Sequence, residues 1–211
     1  MIILLVLVPD SAMEHCLHIE KEYEKTINDY NEIIKMKPQN ANVYYSQGFV
    51  YKDLKEYSKA IADYTKAIEL NPKHTDAYDG RATVYERLKE YEKAISDYTK
   101  AIELEPKSIS AYNSRGMIYE GLKEHNRTIA DYTKIIELNP NHVDTYNNRG
   151  ISYHGLKEYE KATADYTKAI EIQPRNVSSY YLRGFAYQEL KQQKKAIADF
   201  KKAKELSQQR N

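Results

Sequence analysis

Proline recurs at Pro38, Pro72, Pro106, Pro140 and Pro174, each 34 residues after the last. A period of that length means one supersecondary unit copied along the chain, stable only when neighbouring copies stack. Calling each proline position 32 defines five full units, 41–74, 75–108, 109–142, 143–176 and 177–210, preceded by an incomplete one. A compact domain with a single irregular core has no reason to show such a spacing.

The content of the unit is helical. Position 4 is Tyr44, Tyr78, Tyr112, Tyr146 and Tyr180, and position 11 is Tyr51, Tyr85, Tyr119, Tyr153 and Tyr187. With positions 7 and 8 they share one helix face. Position 8 is Gly48, Ala82, Gly116, Gly150 and Gly184. A mid-helix glycine costs about 1 kcal/mol relative to alanine, so its recurrence implies the close approach of a neighbouring helix. The second half of the unit supplies that neighbour. It carries Ala60, Ala94, Thr128, Ala162 and Ala196 at position 20, and Tyr64, Tyr98, Tyr132, Tyr166 and Phe200 at position 24. Proline at position 32 ends this helix, and Asn40, Ser108 or Asn176 two residues later is placed to cap the next. Each unit therefore reads as helix, turn, helix, stop.

An aromatic at 4, a small residue at 8, Tyr at 11, Ala at 20, an aromatic at 24, Ala at 27 and Pro at 32 resemble the tetratricopeptide repeat. The resemblance covers residues 41–210. It implies an all-α fold, a right-handed α-solenoid of antiparallel helix pairs whose concave groove is lined by the first helices. His125 and Gln193 depart from the tyrosine usual at position 17, and Gln208 replaces the last proline.

The ends read differently. Residues 1–40 are expected to be a degenerate N-terminal repeat acting as a cap. Thr26, Tyr30, Ile33 and Ile34 keep a second helix in register, while Asp10, Met13, Glu14 and Glu20 spoil the first, and Ser11 with Glu14 offers a capping box for a shortened helix. Ile2 to Val8 is too short to span a bilayer, which takes about 20 apolar residues. It reads as a hydrophobic end-piece, with the stump of a longer segment or a weak targeting signal as alternatives. In the last unit, 177–211, Lys201 and Lys204 replace apolar or neutral residues on the face a further unit would contact, so the array is expected to end there with a polar outer face. Apolar surface near Ile197 and Phe200 is expected to stay exposed.

Charge and cysteine content narrow the function. Lysine plus arginine (32) nearly balances aspartate plus glutamate (31), so the chain has no general attraction to a polyanion, and nucleic acid is not an expected partner class. From Lys191 onward, seven basic residues face two acids, a local cluster best read as a soluble end. The lone Cys16 rules out an intrachain disulfide framework and suits a reducing, cytoplasmic setting. Glu14, His15, Cys16 and His18 lack a second ligand pair, so no metal site is expected, and the sequons at Asn126 and Asn176 read as chance. No phosphate loop, nucleophile elbow or carboxylate pair appears, so no enzyme activity and no cofactor are expected.

Of the 21 tyrosines, those at positions 4, 11 and 24 sit on packing faces and read as core. Arg81, Arg115, Arg149 and Arg183 at position 7, with Asp63, Asp97, Asp131, Asp165 and Asp199 at position 23, read as a structural ladder whose pairing is left open, within a unit or between neighbours. The free face of each first helix is the expected binding surface. Its polar members are Asp76, Asp79, Asn113, Asn147 and Asn148, with Asp144 and Glu86 nearby. An amide side chain offers both a donor and an acceptor, so a row of them suits an extended peptide backbone, and some proteins of the resembled family use such rows. Tyr45, Phe49, Met117, Ile151, Tyr181 and Phe185 supply apolar footholds. This mildly acidic groove favours a neutral or basic peptide. Family members that grip chaperone tails use lysine at position 5 and asparagine at position 9. That carboxylate clamp is missing here, where those positions hold Tyr45, Asp79, Asn113, Asn147 and Tyr181, and Phe49, Thr83, Met117, Ile151 and Phe185. The expected function is a protein-interaction adaptor or scaffold, either a monomer or a weak end-to-end homo-oligomer. The alternatives are a self-associating structural unit or the scaffold fragment of a longer multidomain protein.

Overall fold

The computed structural model describes residues 10–209, with side chains from 21 to 209. The stretch Ile2 to Val8 and the side chains of Ser11, Glu14, His15, Cys16 and His18 lie outside that description. The described residues form eleven helices and no strand: α1 (Asp10–Met36), α2 (Ala41–Asp53), α3 (Tyr57–Leu70), α4 (Thr75–Arg87), α5 (Tyr91–Leu104), α6 (Ile109–Gly121), α7 (His125–Leu138), α8 (Val143–Gly155), α9 (Tyr159–Ile172), α10 (Val177–Glu189) and α11 (Gln193–Gln208). The fold class is all-α, in consecutive packed pairs at the period of the prolines. The chain divides into two compact units, Met1–Lys100 and Ala101–Asn211.

In the first unit α1 packs on α2, α2 on α3, α3 on α4, and α2 also meets α4. Ala60, Tyr64, Ala67, Ala77 and Val84 are fully buried at its centre. In the second unit α6 through α11 each pack on the next, and α8 also meets α10. Ala162, Tyr166 and Ala186 form a core there, and Tyr132 and Ile135 are likewise sealed. Position 20 is thus sealed in every repeat, and the tyrosines of position 24 with it, as the spacing predicts. Positions 4 and 11 are less uniform: Tyr112, Tyr119 and Tyr146 are buried, but the other tyrosines there are half-buried.

The recurrent glycine has the expected packing cause. A Cβ on Gly150 would lie 2.5 Å from Cε1 of Tyr166, and one on Gly116 3.0 Å from Cε1 of Tyr132, so position 8 meets the position-24 ring of its own repeat. Three caps also form as read: Asn40 accepts from the Asn42 N–H, Ser108 from Ala111 and Asn176 from Ser179. Such caps are worth about 1 kcal/mol each.

The turn between the helices of a repeat holds a feature the sequence reading missed. Lys55, Lys89, Lys123, Lys157 and Lys191, at position 15, all take φ between 57° and 62°. This left-handed residue lets the next N–H reach back five residues, as in Glu56 to the Tyr51 carbonyl at 2.9 Å, which closes the first helix. Glycine is the usual occupant of such a position, and lysine holds it here at a backbone cost of about 1 kcal/mol.

The open question of the ladder is resolved within single repeats. Arg149 Nε and Nη2 donate to Asp165 Oδ2 and Oδ1 at 2.8 and 2.7 Å, while Nη1 donates to Thr133 Oγ1 of the preceding repeat at 3.0 Å. Arg183 does the same with Asp199 and Thr167, and Arg81 with Asp97 and Thr65. Arg115 forks onto Asp131. Each guanidinium also lies between the tyrosines at positions 4 and 11, as Arg149 does at 5.8 Å from both Tyr146 and Tyr153. From the second repeat on, the tyrosines at positions 4 and 11 are therefore walls of an arginine slot.

The ends depart from the pattern. Residues 10–36, read as a short helix followed by a second one, form one unbroken helix of 27 residues. No glycine or proline interrupts that stretch, so nothing stops the first helix before the second begins. Likewise α11 has 16 residues where α3, α5, α7 and α9 have 14, because Gln208 stands where proline would halt it. Ile197 is 58% exposed as expected, whereas Phe200 is covered by Tyr181 and Phe185 at ring distances of 6.2 and 5.1 Å.

Candidate functional site

In the second unit, a hollow has a volume of about 690 Å³. Asn113 and Met117 border it from α6, Asp144, Asn147, Asn148 and Ile151 from α8, and Leu182 from α10. Positions 144, 147, 148 and 151 fall three or four residues apart, which puts them on one face of α8, and 113 and 117 share a face of α6 in the same way. Five residues predicted to bind are thus gathered at one place with Asp144.

Their surroundings differ. Met117 is 52% exposed, and Asn113 Nδ2 donates to its sulfur at 3.5 Å. Asn148 is half-buried and hydrogen-bonds the hydroxyl of Tyr132, which Glu120 also accepts from at 3.3 Å. Desolvation by burial, ahead of the Glu120 charge, raises the Tyr132 pKa. Asn147 is only 6% exposed, and its Oδ1 is enclosed without a hydrogen-bond partner among the described residues. The asparagine row is therefore uneven: Asn113 is open to the hollow, Asn147 sunk into its wall. Tyr181 does not border the hollow and leans instead on Phe200. His142, also on the rim, went unnoticed in the sequence; it precedes α8 and its Nδ1 lies 2.7 Å from Thr145 Oγ1. Its place at the helix start was the available signal.

In the first unit, Tyr45, Phe49, Asp76 and Asp79 lie on the neighbouring helices α2 and α4. The Tyr45 ring is 5.9 Å from Tyr64 and 5.0 Å from His74. Its hydroxyl pKa is raised by burial and then by Asp76 and Asp79. Burial also raises the Asp79 carboxyl, helped by Asp76 and opposed by Lys52. Phe49 is 45% exposed, with the Lys52 ammonium 3.9 Å above its ring. Glu86 is engaged by the Tyr98 hydroxyl at 3.1 Å. A smaller hollow of about 340 Å³ between Lys52, Asp53, Lys55, Tyr57, Thr83 and Arg87 brings three bases together with one acid, Asp53, which pairs with Lys52 at 3.5 Å. Basic side chains at positions 12, 13 and 15 thus offset the acidity of Asp76 and Asp79 in this unit.

Among the described residues, no cluster of metal-ligating side chains occurs and no helix is long and apolar enough to cross a membrane.

The sequence matches the family described as Tetratricopeptide repeat over residues 41–74, 76–108, 109–142 and 143–176, and a second family of that description over 165–198. No curated protein matches it. Among solved structures, the MamA protein is 25% identical, with 81% of this chain and 93% of that one covered at a TM-score of 0.75. YrrB, described as a TPR protein with an unusual peptide-binding site, is 21% identical over 84% of this chain and 91% of its own, also at 0.75. MamA 41-end from Desulfovibrio magneticus RS-1 is 17% identical, covering 82% and 97%, at 0.73.

Proposed function

Because the chain belongs to the tetratricopeptide repeat family, whose members bind proteins or peptides, we propose that it is a non-catalytic adaptor holding a partner segment along the exposed face of its first helices. The observation that carries this reading is the hollow of the second unit, where amides and apolar side chains from α6, α8 and α10 surround a space large enough for several residues of peptide. Asn113 contributes a carbonyl oxygen that can accept from a peptide N–H, and Met117 and Ile151, 52% and 37% exposed, offer adaptable apolar contact. The partner is neutral to basic and is not a chaperone tail, since the lysine such a tail requires at position 5 is lacking.

The test is the double variant Asn113→Ala, Asn147→Ala, compared with the parent for capture of partners from a lysate by mass spectrometry and then for affinity toward the partner found. Affinity is expected to fall about tenfold or more, equivalent to about 1.4 kcal/mol, with helical circular dichroism unchanged. Equal affinity in the folded double variant would remove the groove reading.

The exposed Ile197 keeps a second reading in view, self-association through the last helix. Light scattering over a concentration series separates the two. A mass that stays monomeric at every concentration removes self-association.

A further inference from the structure

The hollow of the second unit is lopsided in its chemistry. Asp144 carries the one formal charge among the side chains that border it, and no lysine or arginine lines it. Asn113 has its amide N–H turned to the Met117 sulfur, leaving its carbonyl oxygen as the free atom. Asn147 is the unusual member. Its side chain is more than nine-tenths buried in the wall, and its Oδ1 is enclosed with no donor opposite. An enclosed carbonyl without a donor is unfavourable, and half a turn about χ2 exchanges Oδ1 with Nδ2. That turn breaks no bond to Oδ1, because none exists, and since Oδ1 is the enclosed atom of this amide it moves the oxygen to the side of the hollow that Asn147 borders.

Asp144 and Asn147 stand three residues apart on α8, so their side chains leave the same helix face, and both border the hollow. A ligand group that answers both must be a cation with donors only, and its stem must suit the exposed Met117 and Ile151. An ammonium is a single point of charge. A guanidinium carries its N–H groups in a planar fork that engages two acceptors at once, on an aliphatic stem that lies along apolar surface. We propose that this hollow is an arginine subsite: Asp144 pairs with the guanidinium of an arginine in the partner segment, Asn147 accepts its second N–H, and Met117 and Ile151 flank the stem. The proposal rests on the groove reading above and narrows it to one side chain.

The experiment uses the full chain and three blocked pentapeptides, alanine throughout except for a central arginine, lysine or citrulline. Citrulline has the shape of arginine without its charge. Binding is followed by the methyl NMR signal of Met117, assigned from the Met117→Leu variant. The arginine peptide is expected to shift this signal and to bind about tenfold more tightly than citrulline, with lysine between them. Asp144→Asn, at an exposed position, is expected to abolish the preference while leaving the fold intact. Equal binding of arginine and citrulline, equal binding of arginine and lysine, or a preference that survives Asp144→Asn overturns the subsite. If the peptides shift Met117 equally, the arginine assignment falls and the groove reading stands. If none shifts it, both fall.

Discussion

The first and the fourth repeats carry the same aspartate at position 23, yet in opposite states. Asp165 in the fourth sits in the fork of Arg149. Asp63 in the first has no base within ion-pair distance among the described residues, and its enclosed Oδ2 lacks a partner. The cause is a single substitution in the pattern, Gln47 at the position where the later repeats have arginine. Arginine there has two duties: it holds the aspartate of its own repeat and reaches back to a threonine of the preceding one. Gln47 keeps only the second. Its Nε2 donates to Asn31 of α1 at 2.9 Å, and Asn31 occupies the position where the later repeats have that threonine. The backward link is thus retained in neutral form and the link within the repeat is lost. Burial alone then raises the Asp63 carboxyl to about 6.

Arg149→Gln would give the fourth repeat the arrangement of the first and break the contrast. Asp165, 5% exposed, would be left unpaired, at an expected loss of about 3 to 5 kcal/mol in urea unfolding. A loss under 1 kcal/mol would mean that the fork contributes little.

Packing offers a second contrast between the same repeats. A Cβ on Gly150 meets the Tyr166 ring at 2.5 Å, whereas one on Gly48 meets Tyr64 at 3.1 Å. Gly150→Ala is therefore expected to cost about 1 to 3 kcal/mol and Gly48→Ala less, read from thermal unfolding of the two variants side by side. The reverse order would show that the first repeat is the tighter one.

Asp63 predicts a pH dependence of definite sign. Its folded pKa of about 6 lies above the ordinary carboxylate value of 3.8, so the folded state holds the proton more firmly. Its destabilising effect is absent below about pH 4, grows as pH rises toward 6, and is complete above. At about 1.4 kcal/mol per pKa unit, discounted for the partial exposure of the group, Asp63→Asn should stabilise the protein by about 1 to 2 kcal/mol at pH 7 and not at all at pH 3.5. Unfolding curves at the two pH values check this. Gln47→Arg should remove the same pH dependence by supplying the missing fork, and a dependence that persists in both variants would assign it to another group.

The fold was legible because burial writes itself into periodicity: the ring at position 24 and the small residue at position 8 recur wherever a helix pair closes. Pairing in the ladder was not, since arginine has aspartates at comparable sequence distance in its own repeat and in the preceding one, and only side-chain direction selects between them. The break at the N-terminal end was misjudged because scattered polar residues such as Glu14 and Glu20 spoil a stripe without stopping a helix, and no glycine or proline does so there. The groove was read by face alone. That placed Asn113, Met117 and Ile151 at the hollow but gave no hint that Asn147 is sunk beside them, a matter of how close α6, α8 and α10 lie.

The left-handed lysines of the interhelical turns make the array tunable. All five are exposed, and none borders the hollow of the second unit. Each replacement by glycine relaxes a strained backbone, offset in part by the freer unfolded chain, for a net gain of about 0.5 kcal/mol. Thermal endurance can be adjusted in five small steps this way, leaving the recognition chemistry as it is.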